Sequence, residues 1–65
     1  MFALSSSDLA IALAIKAGDI RLVERTSRFG GTFIAIEDAV GVIEVQDDMT
    51  AATQRVASIR ERGAL

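Results

Sequence analysis

The sequence predicts a small α/β domain of the α+β kind: a helix, a β-hairpin, a stretch that reads as strand or helix, and a closing helix, with an antiparallel sheet. Three observations carry that prediction. An unbroken apolar run, residues 9–15, lies between helix start and stop signals. Two alternating segments, residues 20–27 and 32–37, flank Gly30 and Gly31. Met49, Ala52, Val56 and Ile59 recur three or four residues apart. At 65 residues the chain has room for one domain, 1–65.

The first element is "SSSDLAIALAIKAG". Ser6 or Ser7 is placed to accept a hydrogen bond from a free N–H of the first turn. Asp8 stands where the helix dipole favours negative charge, and Lys16 stands near the other end. Gly18 suits the left-handed residue that closes a helix. Every residue between Asp8 and Lys16 is apolar, so this helix has no polar face and is expected to be covered all round. A chain this short cannot surround a helix alone. One face is expected on the sheet, another on a neighbouring subunit or an internal cavity.

"DIRLVERTS" is the first strand, with Ile20, Leu22, Glu24 and Thr26 on one side and Arg21, Val23, Arg25 and Ser27 on the other. "TFIAIE" is the second, with Thr32, Ile34 and Ile36 opposite Phe33, Ala35 and Glu37. Gly30 and Gly31 supply positive φ at low cost, which makes the connection a hairpin of about five loop residues. In "DAVGVIEVQ" the β-branched residues lean toward a third strand over 40–45. Its place after a strand and an acidic pair equally suits a helix starting at Asp38. "DDMTAATQRVASIRERGAL" is an amphipathic helix, with Asp47 and Asp48 capping its start, Arg55, Arg60 and Arg62 loading its end, and Gly63 stopping it.

A domain of this size buries only about 60% of the surface its unfolded chain exposes, so it is marginal alone. Small chains compensate with disulfides, metals or association. Cysteine and histidine are both absent, which removes the disulfide and the usual zinc and iron ligands. Association with copies of itself is the expected route. Apolar residues make up 51% of the chain but include only three aromatics, Phe2, Phe29 and Phe33, which favours close packing of thin elements. A net charge of −2 is not the basic footprint of a nucleic-acid binder. The apolar run is far below the roughly 20 residues a membrane span needs, and no basic segment precedes it as in a signal peptide. A cytoplasmic protein with no membrane partner is expected.

Candidate chemistry is sparse. Glu44, Asp47 and Asp48 could ligate a hard cation, but the spacing is not that of an EF-hand and the aspartates are explained as a helix cap. The serines 5–7 have no histidine to activate them. Gly30 and Gly31 fit neither dinucleotide nor Walker patterns. No catalytic residue, metal site or cofactor is assigned, and an enzyme is not expected. Arg25 and Arg28 read either as a solvated edge or as a site for an anion. If the hairpin tip faces a symmetry axis, one arginine per subunit becomes a charged ring, the device that sets anion selectivity in pores.

One resemblance covers residues 9–44. The helix end Ala14-Ile15-Lys16-Ala17-Gly18-Asp19-Ile20, the turn Arg28-Phe29-Gly30-Gly31, the strand after it and the stretch from Asp38 to Glu44 come in the order seen in bacterial microcompartment (BMC) shell proteins. The chain resembles the circularly permuted type found in ethanolamine- and propanediol-utilisation compartments. That resemblance implies a BMC-like domain whose hexamers tile, with other shell proteins, into flat sheets around an enzyme core. It implies that Arg28, Phe29, Gly30 and Gly31 line a central pore, that Lys16 is a tile-edge contact, and that residues 38–44 begin a helix. Residues 1–4, "MFAL", would be the remnant of the family's first strand, leaving an open sheet edge. Two other readings stand beside it. The serine-led helix and the hairpin ending in Ala35-Ile36-Glu37 loosely resemble gas-vesicle wall proteins, although Arg21, Glu24, Arg25 and Arg28 interrupt that family's apolar strands. The chain also fits a small ligand-binding or regulatory α/β module that dimerises through its sheet.

Overall fold

The computed structural model describes residues 6–63; the "MFAL" segment lies outside them. Helix α1 runs Ser6–Ala17, strand β1 Arg21–Thr26, β2 Thr32–Glu37, β3 Val42–Gln46, and helix α2 Met49–Gly63. The strands form one antiparallel sheet in the order β1-β2-β3. The chain is thus a small α+β domain of two helices and a three-stranded sheet, as expected.

Residues 38–44 do not form the helix that the family resemblance implies. Asp38 instead closes a tight turn. Its Oδ1 accepts the N–H groups of Val40 and Gly41 at 2.8 and 2.9 Å, and its own N–H donates to the Gly41 carbonyl at 2.9 Å. The same side-chain bonds would serve equally to open a helix; here the Asp38 N–H bonded to the Gly41 carbonyl folds the chain back, and residues 42–46 pair with β2 instead. The turn also takes in Val40, so the third strand starts at Val42 and not at residue 40.

Both helices cover one face of the sheet. Ile34 and Ile36 of β2 meet Ile11 of α1 and Ala52, Val56 and Ile59 of α2, with Ile20, Leu22 and Ile43 packed around them. Ile11 and Ile36 are fully buried, each worth roughly 1.5–3 kcal/mol against leaving it exposed. The stripe expected on α2 is present except at its first position: Met49 is exposed. On α1 only Ile11 and Ala14 are buried, while Leu9 and Leu13 are 50% and 58% exposed. The described residues therefore do not enclose this apolar helix.

The opposite face carries Val23, Phe33, Ala35, Glu37, Val42 and Val45, since Val23 pairs with Ala35, Ala35 with Val45, and Glu37 with Val42. A bulge makes this possible. Ile36 pairs with Glu44 but Glu37 pairs with Val42, so β3 holds one extra residue, Ile43. Without it Val42 and Val45, three apart, would point to opposite faces. With it, both valines face away from the helices and Ile43 joins the core.

Because Ile36 is fully enclosed, trimming it reads out the core directly. Ile36→Val is expected to cost about 1 kcal/mol and Ile36→Ala about 3 kcal/mol. In a domain this small the milder change should lower the thermal midpoint by roughly 5 °C. Val40→Ser, at a side chain 96% exposed, should leave the midpoint unmoved. Thermal melts followed by circular dichroism check all three.

Candidate functional site

The four residues expected to act together do lie in one turn. The hairpin loop Ser27–Gly31 is closed by the Ser27 N–H donating to the Gly31 carbonyl at 2.7 Å and the Gly30 N–H donating to the Ser27 carbonyl at 3.1 Å. The Ser27 hydroxyl oxygen accepts the Phe29 N–H at 3.3 Å. Gly30 holds φ at +90°, a region side chains rarely adopt; Gly31 does not. The result is a projecting tip on which Phe29 is 91% exposed and Arg28 has no hydrogen-bond or ionic partner among the described residues.

Lys16 lies elsewhere. It sits in the last turn of α1, exposed, a few residues before β1 begins. The hairpin tip follows the far end of β1. Six strand residues at about 3.3 Å each put about 20 Å between these ends. The tip and Lys16 therefore occupy opposite ends of the sheet.

Arg25 and Arg28, paired in the sequence reading as an anion site, are separated. Arg25 donates from Nε and Nη2 to Glu37 Oε2 at 3.0 and 2.6 Å, and Arg21 Nη2 stands 3.9 Å from Glu37 Oε1. The Glu37 side chain is nearly buried between them. Arg25 is opposite Phe33 in the register and Glu37 is opposite Arg21, so the Arg25 side chain reaches back along the sheet past the row holding Ala35. Ala35 is fully buried although neither α1 nor α2 lies on its face. The signal for this cluster was in the alternation itself: Arg21, Arg25 and Glu37 all fall on one face.

Nor is Glu44 grouped with Asp47 and Asp48. It points into the helix side, where Arg55 Nε and Nη2 donate to its two oxygens at 2.8 and 2.9 Å. Gln46 Nε2 donates to it at 2.8 Å, and the Ser7 hydroxyl also binds it. Arg55 is ion-paired with Asp8 of α1 as well. Thus Ser7 and Asp8 face this cluster from inside the helix. Arg55 holds the Glu44 carboxyl below its usual value, against the opposing effect of burial, and Glu44 followed by Asp8 raises Arg55. Of the acidic pair, Asp48 caps α2 by accepting the Ala51 N–H at 2.7 Å. Among the described residues, no group of three or more acidic side chains is arranged to hold a metal ion.

A groove of about 470 Å³ runs between the last turns of the two helices, lined by Ala12, Leu13, Ile15, Lys16, Ile59, Arg60 and Gly63. Its lining holds, among the described residues, two cations, Lys16 and Arg60, and no carboxylate. Among the described residues no helix is long and apolar enough to cross a membrane. Comparison with family models, with curated proteins and with solved structures finds no match.

Two changes test the Arg55 cluster. Arg55→Met leaves the Asp8 and Glu44 carboxylates facing each other without their cation and should cost about 2 kcal/mol. Acid has a defined sign. Glu44 binds its proton more weakly when folded, so its contribution is complete above its ordinary value of 4.5 and is lost as pH falls through the lower folded value. Glu44→Gln should therefore be less stable at pH 7 and lose less stability between pH 5 and pH 3, a window set by that ordinary value. Asp38, held low by the N–H groups of Gly41 and Val40, keeps an acid limb in both proteins. Parallel urea midpoints across this range would refute the assignment.

Proposed function

We propose that this chain is a non-enzymatic structural subunit that assembles with copies of itself, in the manner of a bacterial microcompartment shell tile. One observation carries the reading: the chain leaves large apolar side chains uncovered on separate surfaces. Leu9 and Leu13 lie on α1, Val42 and Val45 on the helix-free face of the sheet, and Phe29 at the hairpin tip. A single patch would account for a dimer. Several non-overlapping patches on one small subunit favour extended assembly, because each contact leaves another unsatisfied.

The shell form of the proposal draws on the resemblance. There Arg28, Phe29, Gly30 and Gly31 surround the axis of a hexamer and Lys16 meets a neighbouring tile. The placement of the tip and Lys16 at opposite ends of the sheet suits that assignment, since one must be central and the other peripheral. In this reading the protein works in the cytoplasm among other shell proteins and carries no cofactor. A second reading has its own observation. The row Val23, Ala35 and Val45 gives the helix-free face an apolar centre, which favours a dimer closed through that face.

Light scattering coupled to size-exclusion chromatography, followed by electron microscopy, separates the two. Rings or sheets are expected; a lone dimer sensitive to Val45→Thr would favour the second reading, and a monomer at every concentration would end both. Lys16→Ala should abolish sheets while leaving rings intact, and unchanged sheets would count against the edge role.

A further inference from the structure

Strands β1 and β3 run in the same direction, each antiparallel to β2. The hairpin tip that follows β1 and the segment Asp47-Asp48-Met49 that follows β3 therefore lie at the same end of the sheet. They are not level. Gln46, the last residue of β3, pairs with Ile34. Thr32, Phe33 and the whole turn thus extend past the end of β3 as an overhanging arm, in a molecule 40 Å long and 21 by 17 Å across.

The arm and the segment beside it are complementary. The arm presents an exposed aromatic, Phe29, next to a cation, Arg28, that has no partner among the described residues. The neighbouring segment presents an exposed methionine, Met49, next to an acid, Asp47, likewise without a partner among them. Asp48 keeps its Oδ1 on the Ala51 N–H as a helix cap, which leaves Asp47 as the available carboxylate. Exposed aromatic and arginine side chains are the residue types that carry binding energy at interfaces, and the methionine thioether packs favourably against an aromatic ring.

We infer that the hairpin arm of one copy docks on the start of α2 of a second copy, with Phe29 against Met49 and Arg28 paired to Asp47. The inference rests on the self-assembly reading above and names one of its contacts. Since both halves of the contact lie at one end of the molecule, the rotation that joins two copies turns about an axis at that end. The partner is the same chain because charge and apolar surface match there: cation beside aromatic on one side, anion beside thioether on the other.

A charge-reversal experiment tests this contact. All four positions are exposed, so the variants should keep the wild-type circular dichroism spectrum and thermal midpoint. Sedimentation velocity of Arg28→Glu and of Asp47→Arg should each show association weakened by about tenfold or more. The double variant Arg28→Glu with Asp47→Arg restores the pair in reverse and should recover most of the association. Phe29→Ser should weaken it without rescue by either charge change. If wild-type copies associate and Arg28→Glu associates equally well, the contact is wrong while self-assembly stands. If both single variants weaken association but the double variant does not recover, the two charges do not face each other. If the wild-type chain is monomeric throughout, self-assembly itself fails.

Discussion

The contact of Ile34 and Ile36 with Ile11, Ala52, Val56 and Ile59 holds the sheet to its two helices, and the remaining features follow from what that contact leaves uncovered. β2 is the central strand, and Ile34 through Glu37 are all buried. Its alternation sends two isoleucines to the helices and Ala35 and Glu37 to the other side. With α1 and α2 on one face, the second face is covered, among the described residues, by its own side chains. Glu37 is nearly enclosed there between Arg21 and Arg25.

The charges divide according to the same geometry. Arg21 and Arg25 gather on Glu37 on the helix-free face, while Arg55 takes Glu44 and Asp8 on the helix side. The first cluster ties together the two strands of the hairpin; the second joins α1, α2 and β3, which are distant in sequence. Ion pairs of this kind add little net stability, because desolvation offsets attraction, but removing one partner leaves an unpaired charge behind. Their effect is therefore to penalise wrong arrangements. A one-residue slip of β1 on β2 would move Arg21 and Arg25 to the helix side and strand Glu37. Arg55 likewise fixes how far α1 slides along α2, through Asp8.

Much of this was legible in the sequence, and the failures have physical causes. The hairpin announced itself through two alternating segments around a glycine pair, and α2 through its spacing, because local pattern and final environment agree there. For residues 38–44 the resemblance pointed to a helix, while the chain turns back at Gly41 and pairs Val42–Gln46 with β2; the β-branched residues were the better guide. The bulge at Ile43 could not be read, since it depends on which register buries Ile43 and Glu44 together. The all-apolar α1 implied a helix that a chain this short cannot surround, and among the described residues only one face of it, Ile11 and Ala14, is buried. Arg25 was grouped with Arg28 because both lie near the hairpin, yet the strand points Arg25 down the sheet to Glu37 and the turn carries Arg28 away.

What distinguishes this domain is the sorting of its unused groups. Among the described residues Arg21 and Arg25 are neutralised at Glu37, and Arg55 at Glu44 and Asp8. Arg28, Arg60 and Arg62 have no such partner there; Arg28 stands beside Phe29 at one end, while Lys16 and Arg60 line a groove at the other. A tile that must converge on an axis and also meet neighbours at its rim needs two ends of different chemistry, and a domain joined only through its sheet face does not. A tile made from this chain would still differ from the family it resembles. Residues 42–46 form a strand, so α2 supplies the helix beside α1, and its start, not a helix at Asp38, stands next to the projecting hairpin. The contact surface nearest the axis would then be built from the end of β3 and the first turn of α2, which is where the Asp47 carboxylate, without a partner among the described residues, and the exposed Met49 side chain are found.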